Sequence, residues 1–326
     1  MKFRHLLSAV LSASALHLAA APLSLGDFDI IVKENFTLSG AHVHGSAAVG
    51  GNVILNGNMS EFGNQLSSGY SVTPALLVNG QVQQNADARI NGPGTLQVGS
   101  LVSGQSVNAS NDLVKGGRSL YANSVAIAAS GIDFEESFDR FSLLSQSMAA
   151  LANTVTLADV TGGDAQNKQL KLDFTANGAQ QVLNLTAAEF IAFKNIQVGA
   201  LGLNPNSWII NVDLAGYNGS AITQNRNAAN DAAADRILWN FYGADALQIG
   251  NQFLGTVFAP DVVLTHLSND LKGSVIAGSF IKLEGQVHIH TYDGDVPRHS
   301  VPENASTAFL ALAALLPLAF LRARRR

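Results

Sequence analysis

One phrase of this chain is written twice, 18 positions apart: GTVFAPDVVLT over 255–265 and GSVIAGSFIKL over 273–283. The two copies agree in residue class position by position. In each, Val257/Val275 and Ala259/Ala277 alternate with Phe258/Ile276, so one set faces a core and the other faces outward. Pro260/Gly278 then interrupts the run and turns the chain. A second short strand follows, carried by Val263/Ile281 and Thr265/Leu283.

The same grammar recurs at 45–55 (GSAAVGGNVIL) and 94–104 (GTLQVGSLVSG). Weaker versions begin at Leu76 (LLVNGQV) and Leu120 (LYANSVAI). A strand, a small-residue corner and a strand, returning at roughly 18–23 residues, is the length of one coil of a β-solenoid. Such a coil buries its apolar face only by stacking on a neighbour. The expected fold is therefore mainly β, a β-solenoid or β-helix-like domain. A β-sandwich of ordinary strands and glycine turns is the alternative.

Composition fits that expectation. Only 13% of the 326 residues are charged, about half of the usual share, while glycine is frequent (30) and cysteine absent. Without cysteine there are no disulfides, no thiol catalysis and no Cys-ligated zinc. The formal charge is −5. Setting aside the six terminal cations Lys2, Arg4, Arg322, Arg324, Arg325 and Arg326 takes it to about −11, which argues against nucleic acid as a partner.

Residues 27–130 read as strand and corner throughout. The period changes at 133–153 (DFEESFDRFSLLSQSMAALAN), where Phe134, Phe138, Phe141, Leu144, Met148 and Leu151 recur at three- and four-residue steps. That is an amphipathic helix with acidic residues in its first turn, expected to pack on the sheet. Beyond it, KLDFTA, QQVLNLTAAEF, NIQVGALGL and SWIINVDLAG read as strands, and 220–235 as a surface loop or short helix. One last strand falls within 284–300.

The ends carry addresses. Residues 1–26 have a basic start (Lys2, Arg4), an apolar run from Leu6 to Ala21 and small residues after it, the plan of a secretory signal cleaved after Ala21 or Gly26. Residues 301–326 join a short motif beginning Val301, Pro302, Glu303 to an apolar stretch, Ala308–Leu321, and an arginine-rich stop. Fourteen apolar residues are short for a span, and the arginines would hold the tail on the cytoplasmic side. The tail reads either as a sorting signal cut at the motif or as a plain anchor. The domain expectation is 1–26 signal peptide, 27–300 β domain and 301–326 tail.

The tail VPENAST, apolar run and RARRR resembles the PEP-CTERM class of exosortase sorting signals of Gram-negative bacteria, with Asn304 where the second proline usually stands. The body is similar to the choice-of-anchor A domain. The carriers are FDIIVKENFTLSGAHVHGSAAVGGNVIL, the helix around 133–151, and the blocks ILWNFYGADALQI, GTVFAPDVVLT and LKGSVIAGSFIKLEGQVHIHTYDG. The resemblance implies a bacterial surface or matrix protein, with some relatives described as adhesins, and it supplies no catalytic residues.

Several residue groups are candidates for chemistry. His42 and His44, like His288 and His290, sit two apart on a strand and so share a face. Two such pairs on adjacent coils are candidate zinc or copper ligands, and exposed polar positions otherwise. Asp293, Asp295 and Asp261 are candidates for a calcium corner, without the spacing of a known calcium loop. A polysaccharide-cutting groove would need clustered carboxylates and a basic residue, and its candidates here, Asp261, Lys282 and Glu284, are scattered among apolar neighbours. Thr256 and Ser274 are the start of a hydroxyl ladder that an ice- or glycan-binding face would need. No nucleophile elbow, zinc-protease helix or phosphate loop is present. The Asn-x-Ser/Thr triplets at Asn35, Asn58, Asn108, Asn184 and Asn218 follow from the composition.

The expectation is a non-enzymatic, exported surface or matrix protein, with no cofactor. Its partners are a signal peptidase, an exosortase-type enzyme, the inner membrane before processing, and exopolysaccharide or a surface ligand. A carbohydrate-active β-helix enzyme and a glycan- or ice-binding solenoid are the alternatives.

Overall fold

The computed structural model describes residues 20–66, 74–91, 94–164, 166–175, 179–202, 205–223, 225–227 and 231–297. The expected signal up to residue 19 and the motif Val301, Pro302, Glu303 with its tail lie outside the described residues. Among the described residues no helix is long and apolar enough to cross a membrane.

The chain is a three-faced parallel β-solenoid. One face holds ten parallel strands in the spatial order β14 (Val125–Ile127), β10 (Leu96–Val98), β7 (Leu76–Val78), β4 (Ala47–Val49), β1 (Ile30–Val32), β26 (Val275–Lys282), β24 (Thr256–His266), β21 (Ile237–Tyr242), β19 (Ser207–Asp213) and β17 (Gln180–Thr186). The chain thus enters at the middle of the stack, winds out to β14, reappears at the far end as β17, and winds back until β26 seals against β1. Ile30 lies opposite Val275 there, and Val32 opposite Ala277.

The second face is β22 (Ala246–Ile249), β24, β26, β2 (Phe36–Ser39), β5 (Val53–Asn56) and β8 (Val82–Gln84), also parallel. The third runs β23 (Phe253–Leu254), β25 (Leu271–Lys272), β27 (Gln286–His288), β3 (His42–Val43), β6 (Ser60–Phe62), β9 (Ala88–Ile90) and β13 (Arg118–Tyr121), closed by the antiparallel β12 (Leu113–Lys115) and β11 (Gln105–Val107). At the β17 end a separate sheet of β15 (Thr161–Gly162), β16 (Gln169–Phe174), β18 (Asn195–Leu201) and β20 (Asn225–Asn227) walls the wider coils.

The duplicated phrase is two neighbouring coils in register, Val257 beside Val275 and Ala259 beside Ala277. Its Pro260/Gly278 position does not end the strand. The register shifts between Ala259 and Val263 while both strands continue around the corner onto the second face. A bulge of this kind bends a strand without releasing its ladder.

The expected helix is α1 (Phe134–Ala149), with Asp133 as its N-cap accepting from the Glu136 amide at 2.9 Å. It lies along the stack, carrying the chain from the β4 side to the β17 end. Phe138, Phe141 and Met148 are buried against the outward Ile31, Ile276 and Phe258 of the ten-stranded face. Beyond Phe258 the sheet offers asparagine instead. Asn240, Asn211 and Asn184 stand side by side on β21, β19 and β17. Asn240 Nδ2 donates to Asn211 Oδ1 (2.8 Å) and Asn211 Nδ2 to Asn184 Oδ1 (2.7 Å). The same amides donate to the carbonyls of Ser145, Met148 and Leu151 at 2.7–2.9 Å. The match is geometric: three helical residues rise about 4.5 Å, close to the 4.7–4.9 Å between strands.

Two short elements differ from the sequence expectation. In QQVLNLTAAEF the strand stops at Thr186 and α3 (Ala187–Ala192) begins, because Thr186 and Glu189 form a capping box. A similar box, Thr156 with Asp159, starts α2 (Leu157–Val160). Within 220–235, the described parts are 220–223, where Ile222 bridges to Ile249, Asn225–Asn227 as strand, and a 3-10 turn over Asp231–Arg236. After β27 a strap runs along the stack. The His290 carbonyl accepts from the Ser274 amide at the level of β26, and the Asp295 carbonyl accepts from Gln180 on β17.

Candidate functional site

The three faces differ in what they show to solvent. The ten-stranded face is covered from β4 to β17 by α1. The third face carries a charged row: Gln286, His42, Glu61, Arg89 and Tyr121 stand opposite one another across β27, β3, β6, β9 and β13. His42 Nδ1 lies 3.2 Å from Glu61 Oε2, and the Arg89 guanidinium sits 5.9 Å from the centre of the Tyr121 ring. The Asn64 amide donates to Glu61 at 2.7 Å and holds its carboxyl below the usual range.

The second face is open and uncharged. Its central outward row reads Gln248, Thr265, Ile281, Thr37, Ile54 and Gln83, one residue per strand. All six are partly exposed. Val263 flanks the row on one side, and Leu283, Ser39 and Asn56 on the other. Six strands at 4.7–4.9 Å make this platform about 24 Å wide. Past the bend of β24, where Asp261 sits, no Asp, Glu, Lys, Arg or His of these six strands points out of it, since His266 and Lys282 turn inward. One layer beneath, Phe280 stacks on Phe36 with centroids 5.2 Å apart, which keeps β26 and β2 level.

The histidine pairs do lie on adjacent coils, but in a register that separates them. Gln286 stands opposite His42, so His44 meets His288, with ring centroids 4.3 Å apart. Burial, followed by the charge of His288, pushes the His44 pKa down. His288 Nε2 comes within 3.3 Å of Asp270 Oδ2, and His290 lies past the strand, its pKa lowered by burial. Among the described residues, no three His, Asp or Glu side chains converge as a metal site.

The acidic candidates are dispersed. Asp261 accepts from the Ser142 hydroxyl at 2.6 Å beside a groove of about 530 Å³ that Gln146 and Tyr242 also line; it is the one carboxylate among the groove's lining residues. Asp293 pairs with Arg236 at 2.9 Å, and Asp295 offers its backbone carbonyl to Gln180. Glu284 is exposed at a corner.

Candidates of both alternative readings lie buried. Lys282 does not reach a groove: it points inward between His266 and Leu38 and is fully buried, its Nζ donating to the Asn269 carbonyl at 2.8 Å. Alternation decides this, since Ile281 takes the outward position. Burial lowers the Lys282 pKa to about 7. Thr256 and Ser274 form no exposed ladder either. They are 1% and 2% exposed, in an outward row with Asp29 that the strap covers, Ser274 Oγ donating to the His290 carbonyl. Asp29 in that row accepts from the Ser46 amide (2.8 Å), and burial raises its pKa.

Sequence reasoning missed the uncharged platform. Its signal was available in part: Thr37 and Ile54 each stand between two inward apolar residues of a short strand, whereas His266 and Lys282 beside Thr265 and Ile281 mask the alternation.

A search of curated proteins found no match, and neither did a search of solved structures. A family model does match, over residues 23–289, almost the whole of the described solenoid, and its description is a putative ice-binding-like adhesive domain. The chain belongs to this family of ice-binding-like adhesive domains.

Proposed function

We propose that the protein is an exported, non-enzymatic adhesin of the bacterial surface or extracellular matrix, and that the uncharged platform of β22, β24, β26, β2, β5 and β8 makes the contact. The reading rests on one observation above the others: this face is flat, in register over six strands and free of charge, while the other two faces are covered by a helix or carry a charged row. Charge-free parallel ladders suit broad, shallow contact with a polysaccharide or another extended surface, since there is no ion to desolvate. The dispersal of Asp261, Lys282 and Glu284 supports a non-enzymatic role.

The ends complete the proposal. Residues 1–26 direct export. The tail resembling PEP-CTERM holds the chain in the inner membrane until an exosortase-type enzyme cuts at Val301, Pro302, Glu303 and passes the choice-of-anchor A-like body to the surface.

The test uses Ile54→Lys with Ile281→Lys, two outward positions that leave the core untouched. Adhesion of cells and retention of the purified protein on matrix polysaccharide should fall at least tenfold. Arg89→Gln on the charged row should change neither. Equal retention by all three proteins would remove the platform from the proposal. In parallel, intact mass from the native host should show a chain ending near residue 303 that depends on the sorting enzyme; a chain still carrying Arg326 would mean a plain anchor.

A further inference from the structure

The two ends of the solenoid are finished differently. At β17 the last coil is sealed by the chain itself: the Thr154 amide donates to the Val182 carbonyl (3.0 Å), Thr154 Oγ1 accepts from the Val182 amide (2.8 Å), and Asn153 Oδ1 accepts from the Asn184 amide (2.7 Å). At the other end, the antiparallel pair β11 and β12 closes only the second and third faces. There Gln105 donates to Gln84 and to the Val82 carbonyl.

Among the described residues, the ten-stranded face ends bare at β14. Its bonds to β10 run through Ser124, Ala126 and Ala128, since the Leu96 amide donates to the Ser124 carbonyl and the Ala128 amide to the Val98 carbonyl. By the alternation of a parallel ladder, Val125 and Ile127 turn their N–H and C=O groups away from the sheet. Ile127 continues the core row of Val32, Val49, Val78 and Val98, yet it is 52% exposed, since no coil of the described residues stacks on it. Val107 and Tyr121 are exposed at the same end.

Terminal coils of solenoids ordinarily carry a polar cap, and exposed edge strands a lysine, proline or bulge that prevents pairing. β14 has none of these. We propose that this end is a self-association surface, on which two copies of the chain pair their β14 edges antiparallel about a two-fold axis. Charge selects a second copy as occupant. The chain carries a net −5, and residues 119–132 contain no charged side chain, so two like-charged molecules meet there without repulsion. Centred on Ala126, the pairing sets Val125 of each copy opposite Ile127 of the other, satisfies all four free backbone groups on each side, and covers both isoleucines. The contact is short, so the dimer is weak and concentration-dependent.

The chain has no cysteine, so single cysteines report contacts cleanly. Across the two-fold axis the two Ala126 residues form a non-hydrogen-bonded pair with Cα atoms about 4.5 Å apart, within disulfide reach. Full-length Ala126→Cys should oxidise to a disulfide dimer at least tenfold faster than full-length Asn218→Cys, an exposed site at the other end. Adding Ile127→Lys to Ala126→Cys should return the rate to that of the control. Equal rates at positions 126 and 218, as tail-driven association would give, or a rate indifferent to Ile127→Lys, would overturn the proposal.

Discussion

The outgoing arm of the solenoid, β1 to β14, and the returning arm, β17 to β26, share one sheet but fill their coils by different means. Outgoing strands on that face are three residues long, and their inward row is aliphatic, Val32, Val49, Val78 and Val98; the other two faces add the buried rings of Phe36 and Phe62. Returning strands have six to eleven residues. Their coils are wide enough to hold Trp239, Phe241, Phe253 and Phe190 as one aromatic cluster. The helix is seated differently on each arm as well. On the returning side the asparagine ladder grips its carbonyls; on the outgoing side Lys33 reaches Glu135 at the surface, at 2.8 Å. A coil's width decides how many large side chains it must hold to be filled, and so how much of its stability sits in a few of them.

The sharpest test of this contrast is truncation of the core. Trp239→Ala should cost about 4 kcal/mol, since the indole is fully buried and its Nε1 donates to the Leu254 carbonyl at 2.8 Å. Val78→Ala on the outgoing arm should cost about 2 kcal/mol. Urea midpoints would measure both, and equal losses would erase the distinction between the arms. Next in size is Asn211→Ala, which strips partners from the Met148 carbonyl and from Asn184. It should cost about 3 kcal/mol and speed amide exchange in the last turns of α1 while leaving β4 and β7 protected.

Lys282, at the seam of the arms, gives a pH signature. Its amine titrates near 7 in the fold, against 10.5 as the ordinary value. Between those values the unfolded chain binds a proton that the folded chain does not. Stability should therefore be greatest above pH 10.5, fall by up to about 1.4 kcal/mol per pH unit as pH drops toward 7, and level off below. Lys282→Met should flatten that slope and raise the midpoint at pH 7; an unchanged slope would place the titration elsewhere. The smallest effect belongs to Glu135→Gln, about 0.5 kcal/mol and abolished by salt, because the pair is exposed.

Much of the fold was legible because adjacent coils of equal length repeat in sequence. The phrase repeated 18 positions apart is β24 beside β26, and the 45–55 and 94–104 phrases place Ala47 and Leu96 in one inward row. The helix was legible from its phenylalanine spacing. The path was not. Nothing local says that α1 delivers the chain to the far end of the stack, or that residues 245 apart, Ile30 and Val275, will pair. Insertions such as α3 and the 3-10 turn stretch the returning coils to 27 and 29 residues, as the spacing of Asn184, Asn211 and Asn240 records, and hide their period. Asn184 was visible only as one triplet among five. The histidine pairs show the limit of strand parity: it puts His42 and His44 on one face, but only the register decides that His44 meets His288.

The strap after β27 has a consequence for reach. It carries the chain from the waist of the solenoid to the sealed β17 end before the described residues stop at 297. A rod held through whatever follows stands on its finished end and lifts the bare one to its tip, nine strand spacings or about 43 Å away. Rods rising from two facing cells and joined tip to tip would then act as a spacer, setting a gap of roughly twice that length.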